Sequence, residues 1–411
     1  MDGGLSFLLG SSRGVHLDRV EQELGSLWEQ TDEEARARGQ AGVVRVRGLN
    51  LVVYAENEDT AGRVTDAIAR VAQCRPARVL VLLDEGAGTT QGAGVDEGWI
   101  TAACYVTRSG GRAVCWEQVT IPARGGTAEQ WELVALPHLV PGLPVTLWWP
   151  GQPDVDGRTF ARLLEISDRV VVDSGGFADA RDGVCAVAGL VERTRTDAVV
   201  NDLNWTRLDG WREIIAETFD EASRRPMLAV LDEVRIVYGR EPQPGTIPDL
   251  ARALLLAGWL CAVLGWTPDP GGWTAGEEGV STRLARADGA QNATDIELMI
   301  VHDPSKSHRC DGITQVSLHV PGAEPGPGRQ ISFGWPGDSC VCTAKLDEGA
   351  GESLLHTRQM PVAPDDELLC VELEYLRRDD VYAEAATIAA ALARLPGSAM
   401  LLAKPSTERP S

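Results

Sequence analysis

The run Arg78-Val-Leu-Val-Leu-Leu83 decides the fold class. It is short, continuously apolar and free of polar alternation, the mark of a strand buried on both faces. Before it, Val64, Ala67, Ile68 and Val71 recur at helical spacing and stop ahead of Arg75-Pro76, and Val43 to Tyr54 reads as an earlier strand. A strand, a helix and a strand in that order form a parallel pair with a right-handed crossover.

Working outward, the alternation continues. The region 16–38 reads as a helix on Leu17, Val20, Leu24, Leu27 and Trp28. Asp84 to Gly98 is a Gly-rich loop, followed by strands at Trp99–Val106 and Ala113–Ile121 and a helix over about 128–139. Val145–Trp149 is a strand closed by Pro150-Gly151, Arg158–Ile166 a helix and Arg169–Asp173 a buried strand. This is the rhythm of an α/β layered sheet. Residues 207–264 read as mostly helical, broken by the apolar stretch Met227–Tyr238 and a loop at Pro242–Pro248. From about 280 five strands follow, at 280–287, 294–302, 312–319, 330–333 and 340–344, with Asn/Gly/Pro-rich turns between them, as in an antiparallel meander. A strand at Leu368–Tyr375, a helix at Val381–Leu395 and a polar tail from Lys404 close the chain. The expected fold is an N-terminal α/β domain with a Rossmann-like layered sheet, then a C-terminal α+β region with a mainly antiparallel sheet. The expected divisions are a helical segment at 1–40, the α/β domain at 41–222, the α+β domain at 223–400 and a tail at 401–411.

Composition narrows the function. The 411 residues carry 60 Asp+Glu against 38 Lys+Arg, a net charge of −22, which argues against nucleic acid and anionic lipid as partners. Only Lys306, Lys345 and Lys404 are lysines. The start of the chain lacks the basic region of a signal peptide, and the longest apolar run, Ala253–Trp266, is too short to span a bilayer, so a cytoplasmic protein is expected. There the nine cysteines, an odd number without a CxxC pair, should be reduced.

The usual signatures of catalysis are missing. The sequence holds no GxxxxGK[ST], no GxGxxG opening a helix, no GxSxG and no HExxH. His302, His308 and Cys310, with Cys340 and Cys342 downstream, match no zinc spacing, so no metal and no cofactor are expected. Asp365-Asp366-Glu367 reads as a solvated charge run, and Cys185 and Cys261 as structural thiols. The dense features are aromatic. Trp148 and Trp149 are adjacent at a strand end, where one can be core and the other outward. Trp205 precedes a helix whose Trp211, Ile214, Ile215, Thr218 and Phe219 form one face, with Asp209 positioned to cap it. Trp and Arg are common interface anchors, which makes Trp148, Trp149, Trp205, Arg207, Trp211 and Arg212 the candidate partner-binding residues. Core packing is the competing reading of each Trp.

Three segments together carry a family resemblance: Leu143-Pro-Val-Thr-Leu-Trp-Trp-Pro-Gly151, Asp168-Arg-Val-Val-Val-Asp-Ser174 and Asp202-Leu-Asn-Trp-Thr-Arg-Leu-Asp-Gly-Trp-Arg-Glu213. With Arg75-Pro-Ala-Arg-Val-Leu80 and Cys115-Trp-Glu-Gln-Val-Thr120 they resemble the glucose-6-phosphate dehydrogenase assembly protein family, OpcA, of the cyanobacterial type. The resemblance implies a non-enzymatic partner of the oligomeric glucose-6-phosphate dehydrogenase, assembling and allosterically activating it at the entry of the oxidative pentose phosphate pathway. It also implies redox control connected to thioredoxin, for which Cys104, Cys115, Cys340 and Cys342 are the candidate thiols. The alternative is an enzyme or sensor holding a sugar phosphate or nucleotide at the carboxyl ends of the α/β strands, near Asp173–Phe177 and Trp149–Gly151.

Overall fold

The computed structural model describes all residues except 1–5, 39–46, 85–96, 108–113, 124–129, 195–197, 240–249, 277–278, 287–294, 306–307, 309–310, 323–327, 350, 375–376 and 403–411. The Gly-rich segment after Asp84, the loop at 242–248, Cys310, most of the turn at 321–328, the tail from 404 and the start of the strand expected over 43–54 therefore lie outside the described residues.

The chain forms two compact units, each built from non-contiguous segments. Unit 1 takes Met1–Asp173, Thr194–Leu203 and Pro364–Arg377, and unit 2 takes Ser174–Arg193, Asn204–Ala363 and Arg378–Ser411. The division read at 222/223 falls within unit 2.

Unit 1 begins with β1 (Ser6–His16), α1 (Val20–Ala37), β2 (Leu49–Ala55), α2 (Glu58–Cys74) and β3 (Ala77–Asp84). It continues through β4 (Glu97–Thr107), β5 (Val114–Ala123), α3 (Trp131–Ala135), β6 (Val145–Trp148), α4 (Arg158–Glu165) and β7 (Arg169–Val172). After α5 (Ala180–Arg193), which belongs to unit 2, the chain returns for β8 (Val199–Asp202). The eight strands make one sheet in the order β1-β4-β5-β3-β2-β6-β7-β8. From β5 to β8 every neighbouring pair is parallel, and β4 and β1 extend the sheet antiparallel. Renumbered along the chain, the parallel part runs 3-2-1-4-5-6, the order of a dinucleotide-binding Rossmann sheet. The central strands are buried throughout: Leu51, Val52, Val53, Leu80, Val81 and Leu82 are wholly inaccessible. Each such side chain contributes about 1.5–3 kcal/mol relative to leaving it exposed.

The strand expected at 368–375 is instead α10 (Asp365–Glu374). Leu369 and Leu373, one helical turn apart, are buried while Val371 is exposed, a pattern that suits a helix and not an alternating strand. The acids Asp365, Asp366 and Glu367 occupy its first turn, where the helix dipole favours negative charge. They are not a solvated loop: Asp366 is 5% exposed and takes a 2.7 Å ion pair from Arg70 of α2. A Cys74–Cys370 disulfide joins the same two helices, with Cα atoms 6.3 Å apart. Arg169 of β7 donates to the Glu372 carbonyl at 2.6 Å. The expectation that all cysteines are reduced is thus overturned. A partner 296 residues away leaves no trace in cysteine spacing.

Unit 2 is entered through the short α6 (Leu203–Thr206). Then come α7 (Asp209–Asp220), α8 (Arg225–Leu228), β9 (Glu233–Tyr238), α9 (Leu250–Leu264), β10 (Trp266–Pro268) and β11 (Thr274–Ala275). The meander follows as β12 (Val280–Arg286), β13 (Ile296–His302), β14 (Ile313–Val320), β15 (Arg329–Gly334), β16 (Val341–Asp347) and β17 (Glu352–Gln359), and α11 (Asp380–Arg394) ends the unit's regular helices. The sheet order is β10-β12-β13-β9-β14-β15-β16-β17, with β11 on β12. β9 lies parallel to β13 and antiparallel to β14, so this sheet is mixed rather than mainly antiparallel. The expectation failed because β9, which precedes α9 and the whole meander in the chain, inserts between two strands of the meander. α9 is buried along nearly its whole length, including Arg252. Gly258 permits the close approach of α11, since a side chain there would run into the Ala385 carbonyl and Ala389. Among the described residues no helix is long and apolar enough to cross a membrane.

Candidate functional site

In a Rossmann sheet the cofactor lies where the strand order reverses, here between the carboxyl ends of β2 and β6. Aromatic side chains pack together beside that place in unit 1, next to a cavity of about 300 Å³ that Arg63, Arg70, Trp148 and Pro150 help to line. Tyr54 stacks on Trp149, with ring centroids 3.9 Å apart and planes at 22°. Trp131 meets Tyr54 edge-on at 6.4 Å, and Phe160 lies 5.2 Å from Trp149. All four rings are buried. The Tyr54 hydroxyl donates to Asp84 at 2.7 Å, and burial together with that carboxylate raises its pKa well above the usual phenol range.

The turn from β2 into α2 reads Glu56-Asn57-Glu58-Asp59, not a glycine-rich loop. Asn57 caps α2, its Oδ1 accepting from the Thr60 amide at 2.8 Å. Glu58 and Asp59 follow in the first turn. A Cβ built on Gly151 would meet the Glu56 carboxylate at 3.2 Å, so that side chain leans on the turn after β6. Carboxylates therefore stand where a pyrophosphate would need helix N–H donors, and like charge repels it.

Trp148 and Trp149 are 2% and 4% exposed, so the outward-facing member expected of that pair does not exist. β6 ends at Trp148, and Trp149 turns onto Tyr54 instead of continuing the alternation. The Arg75-Pro-Ala-Arg-Val-Leu motif has a structural explanation as well. Arg78 is buried on β3 and binds Glu117 of β5 at 2.5 Å, Glu21 at 2.7 Å and the His138 carbonyl at 2.7 Å. Glu117 also accepts from the Trp28 indole at 2.9 Å.

In unit 2 the Asn204–Glu213 part of the Asp202–Glu213 segment feeds a buried polar centre. Trp211 on α7 donates to Asp311 Oδ2 at 2.9 Å. Asp311 Oδ1 accepts from Arg252 at 2.8 Å and from the Ile313 amide at 2.9 Å. Arg252 continues to Asn204 at 3.3 Å, and Asn204 to Ser174 at 3.1 Å. Trp205 donates to Asp379 at 2.9 Å and carries the Arg212 guanidinium 3.6 Å above its ring. Trp205 and Trp211 are 5% and 0% exposed, while Arg207 and Arg212 are half-buried. All four tryptophans are thus core and none presents a ring to solvent, with the Trp205 and Trp211 indoles hydrogen-bonded and those of Trp148 and Trp149 buried without a partner among the described residues. Asp209 pairs with Arg212 instead of capping α7, which has no side-chain cap, and burial pushes the Asp209 carboxyl up. Asp311 and Arg252 were missed in the sequence. Their only signal is an Arg inside an apolar helix.

The redox candidates separate. Cys104 and Cys115 are directly opposite in the β4–β5 register. Cys340 precedes β16 and is disulfide-bonded. Cys342 is a free, fully buried thiol that burial pushes up to about 12, far from the reactive thiolate. Cys185 and Cys261 are free thiols on helices α5 and α9. Among the described residues no group of three His, Cys, Asp or Glu side chains could hold a metal ion.

Comparison with known families decides the relationship. Residues 68–188 match the glucose-6-phosphate dehydrogenase subunit N-terminal domain, and residues 198–386 match the C-terminal domain of the same subunit. The chain belongs to the OpcA family. Relatives described as OxPP cycle protein OpcA include that of Nostoc punctiforme, 28% identical over 280 residues, covering 65% of this chain and 55% of the relative. The Synechocystis protein is 30% identical over 206 residues, covering 50% of this chain and 40% of its own length. The chain thus spans about half the length of the curated relatives it matches. Similar solved structures include a 3-ketoreductase of Actinomadura kijaniata, solved with TDP-benzene and NADP. It is 9% identical with a TM-score of 0.45, covering 84% of this chain and 96% of that one. A Bacillus subtilis structure described as an oxidoreductase gives 9% and 0.41, covering 85% and 97%.

Proposed function

We propose that this OpcA chain is a non-catalytic partner of glucose-6-phosphate dehydrogenase. It assembles with the enzyme in the cytoplasm and stabilises its active conformation. The observation that carries the reading is the turn at the switch point. The strand order is that of a dinucleotide-binding sheet, yet the turn from β2 into α2 is Glu56-Asn57-Glu58-Asp59 in place of a glycine-rich phosphate loop, and Tyr54 and Trp149 stack on each other beside it. Such a sheet supports a surface rather than a hydride transfer, in line with the two subunit-domain matches. Activation follows from preferential binding: if the chain binds the active dehydrogenase more tightly, it shifts that population by the ratio of the two affinities.

The net charge of −22 makes the encounter electrostatic, with association rates falling as salt rises. Redox control acts through disulfide-bonded cysteines, Cys74–Cys370 first, because the free Cys261 and Cys342 thiols are pushed up to about 12 by burial. Thioredoxin is the reductant this reading requires.

The test is dehydrogenase kinetics with glucose 6-phosphate varied, with and without the purified chain, alongside gel filtration of the mixture. A lower apparent KM or higher kcat with co-elution is expected. Unchanged kinetics at saturating chain and no co-elution refute the proposal. NADP reduction by the chain alone, without dehydrogenase, replaces it with an enzyme. Activation that is indifferent to dithiothreitol and to Cys370→Ser removes the redox part.

A further inference from the structure

A second concave site lies within unit 2, on the polar face of its sheet. The register sets its floor in two rows: Gln315 opposite Gly334 and Gly334 opposite Thr343, then Ser332 opposite Lys345. Their neighbours Val316, Phe333 and Ala344 point to the other face and are fully buried. The cavity over the floor measures about 370 Å³, within the span of small-molecule sites.

One end is a fixed aromatic wall. Trp335 stacks on His308 at 4.3 Å with planes 7° apart, and its indole donates to the Ile313 carbonyl at 3.1 Å. His308 Nε2 is held 3.1 Å from the Gly337 carbonyl. At the other end Lys345, one of three lysines in the chain, pairs with Glu352 at 2.7 Å. Gly334 keeps the floor low, since even a Cβ there would come within 3.3 Å of the Thr314 carbonyl. Ser332 makes no side-chain hydrogen bond among the described residues, so its hydroxyl is free to donate and accept.

We propose that this cavity binds a neutral polyhydroxylated small molecule, a monosaccharide or a sugar alcohol. Three features select that class. Among the described lining residues, the Lys345 charge is matched by Glu352, which disfavours a phosphate or carboxylate as the ligand. The Ser332 hydroxyl offers a donor and an acceptor together, as a polyol requires, and the Thr343 hydroxyl, which donates to the Gly334 carbonyl at 3.2 Å, keeps its acceptor side. The ring wall is held in place before binding, so little ordering cost falls on association. The site is independent of the switch point and of the proposed dehydrogenase partnership.

The experiment is ligand-observed NMR and calorimetry on the full chain with D-glucose, D-xylose, sorbitol and inorganic phosphate as probes. At least one neutral probe is expected to bind saturably at millimolar concentration, with phosphate not competing. Ser332→Val, a half-buried strand position that suits a β-branched side chain, should weaken binding at least tenfold. Gly334→Val should do the same by filling the floor, and near-wild-type far-UV circular dichroism should accompany both variants. Absence of saturable binding by every neutral probe up to 100-fold above a millimolar threshold overturns the proposal. So does binding of phosphate alone, or affinity unchanged in both variants.

Discussion

Replacing Asp311 by Ala tests whether the buried polar centre of unit 2 is organised as described. The carboxylate is 8% exposed and accepts three hydrogen bonds, from Trp211, Arg252 and the Ile313 amide. Truncation leaves the Arg252 guanidinium, itself 8% exposed, as a buried charge without its counter-ion, and the Trp211 indole without an acceptor. Breaking a buried pair on one side costs about 3–5 kcal/mol, and an orphaned buried donor about 1–3 kcal/mol. Since the groups share one carboxylate, the two costs overlap, and a total of about 4 kcal/mol is expected. Removing both charges together, as Asp311→Leu with Arg252→Met, should cost less than Asp311→Ala alone, because no uncompensated charge remains. The assay is urea unfolding with amide hydrogen exchange read on α9 and β14 peptides, which assigns the loss to unit 2. A loss under about 1 kcal/mol for Asp311→Ala, or additive costs for the Asp311 and Arg252 changes, refutes the coupled centre.

Other expectations follow from buried titratable groups and cross-links. Burial lowers the pKa of His302, stacked on Tyr238, and of His138, where Arg78 adds to the effect. Both imidazoles resist protonation in the folded chain, whereas an unfolded imidazole titrates near ~6.5. Their contribution to stability is therefore complete above that pH and is lost as pH falls through the lower folded values. Unfolding midpoints from pH 7.5 to 5.5 should fall less steeply in His138→Gln and His302→Gln than in the parent chain. Iodoacetamide at pH 8 should leave Cys261 and Cys342 unmodified in the native chain and label both after unfolding, since burial pushes each thiol up to about 12. Peptide mapping without reductant should recover Cys74 linked to Cys370, and Cys370→Ser should cost about 2–4 kcal/mol in unit 1. An unchanged midpoint in that variant would show that Arg70–Asp366 and the buried leucines hold α10 alone.

What the sequence disclosed depended on range. Local patterns were legible: the apolar runs of β3 and β7, the helical spacing of α2 and α7, and the turn-punctuated meander from β12 to β16. β17 was overlooked because its side chains are mostly exposed, so no buried alternation marks it. α10 was misread because Leu368, Leu369, Cys370 and Val371 are contiguous in sequence, and a short apolar run does not distinguish strand from helix. Strand order was beyond local pattern altogether. The 3-2-1-4-5-6 arrangement, the insertion of β9 beside β13 and the disulfide all join residues far apart in the chain. The same is true of the candidate sites. Tryptophans 148, 149, 205 and 211 were noticed as a motif, but their burial, and the acid-lined turn at Glu56, became meaningful only once the switch point was located.

The interleaving of the two units has a consequence for synthesis. The chain passes from one to the other after Asp173, Arg193, Leu203, Ala363 and Arg377. During translation the sheet of unit 1 is complete by Asp202, yet Cys74 and Arg70 of α2 wait roughly another 170 residues for Cys370 and Asp366, some tens of seconds or less at ordinary elongation rates. Nascent chains must therefore carry Cys74 without its Cys370 partner until the final stretch emerges. Any truncation before Arg377 would remove residues from both units at once.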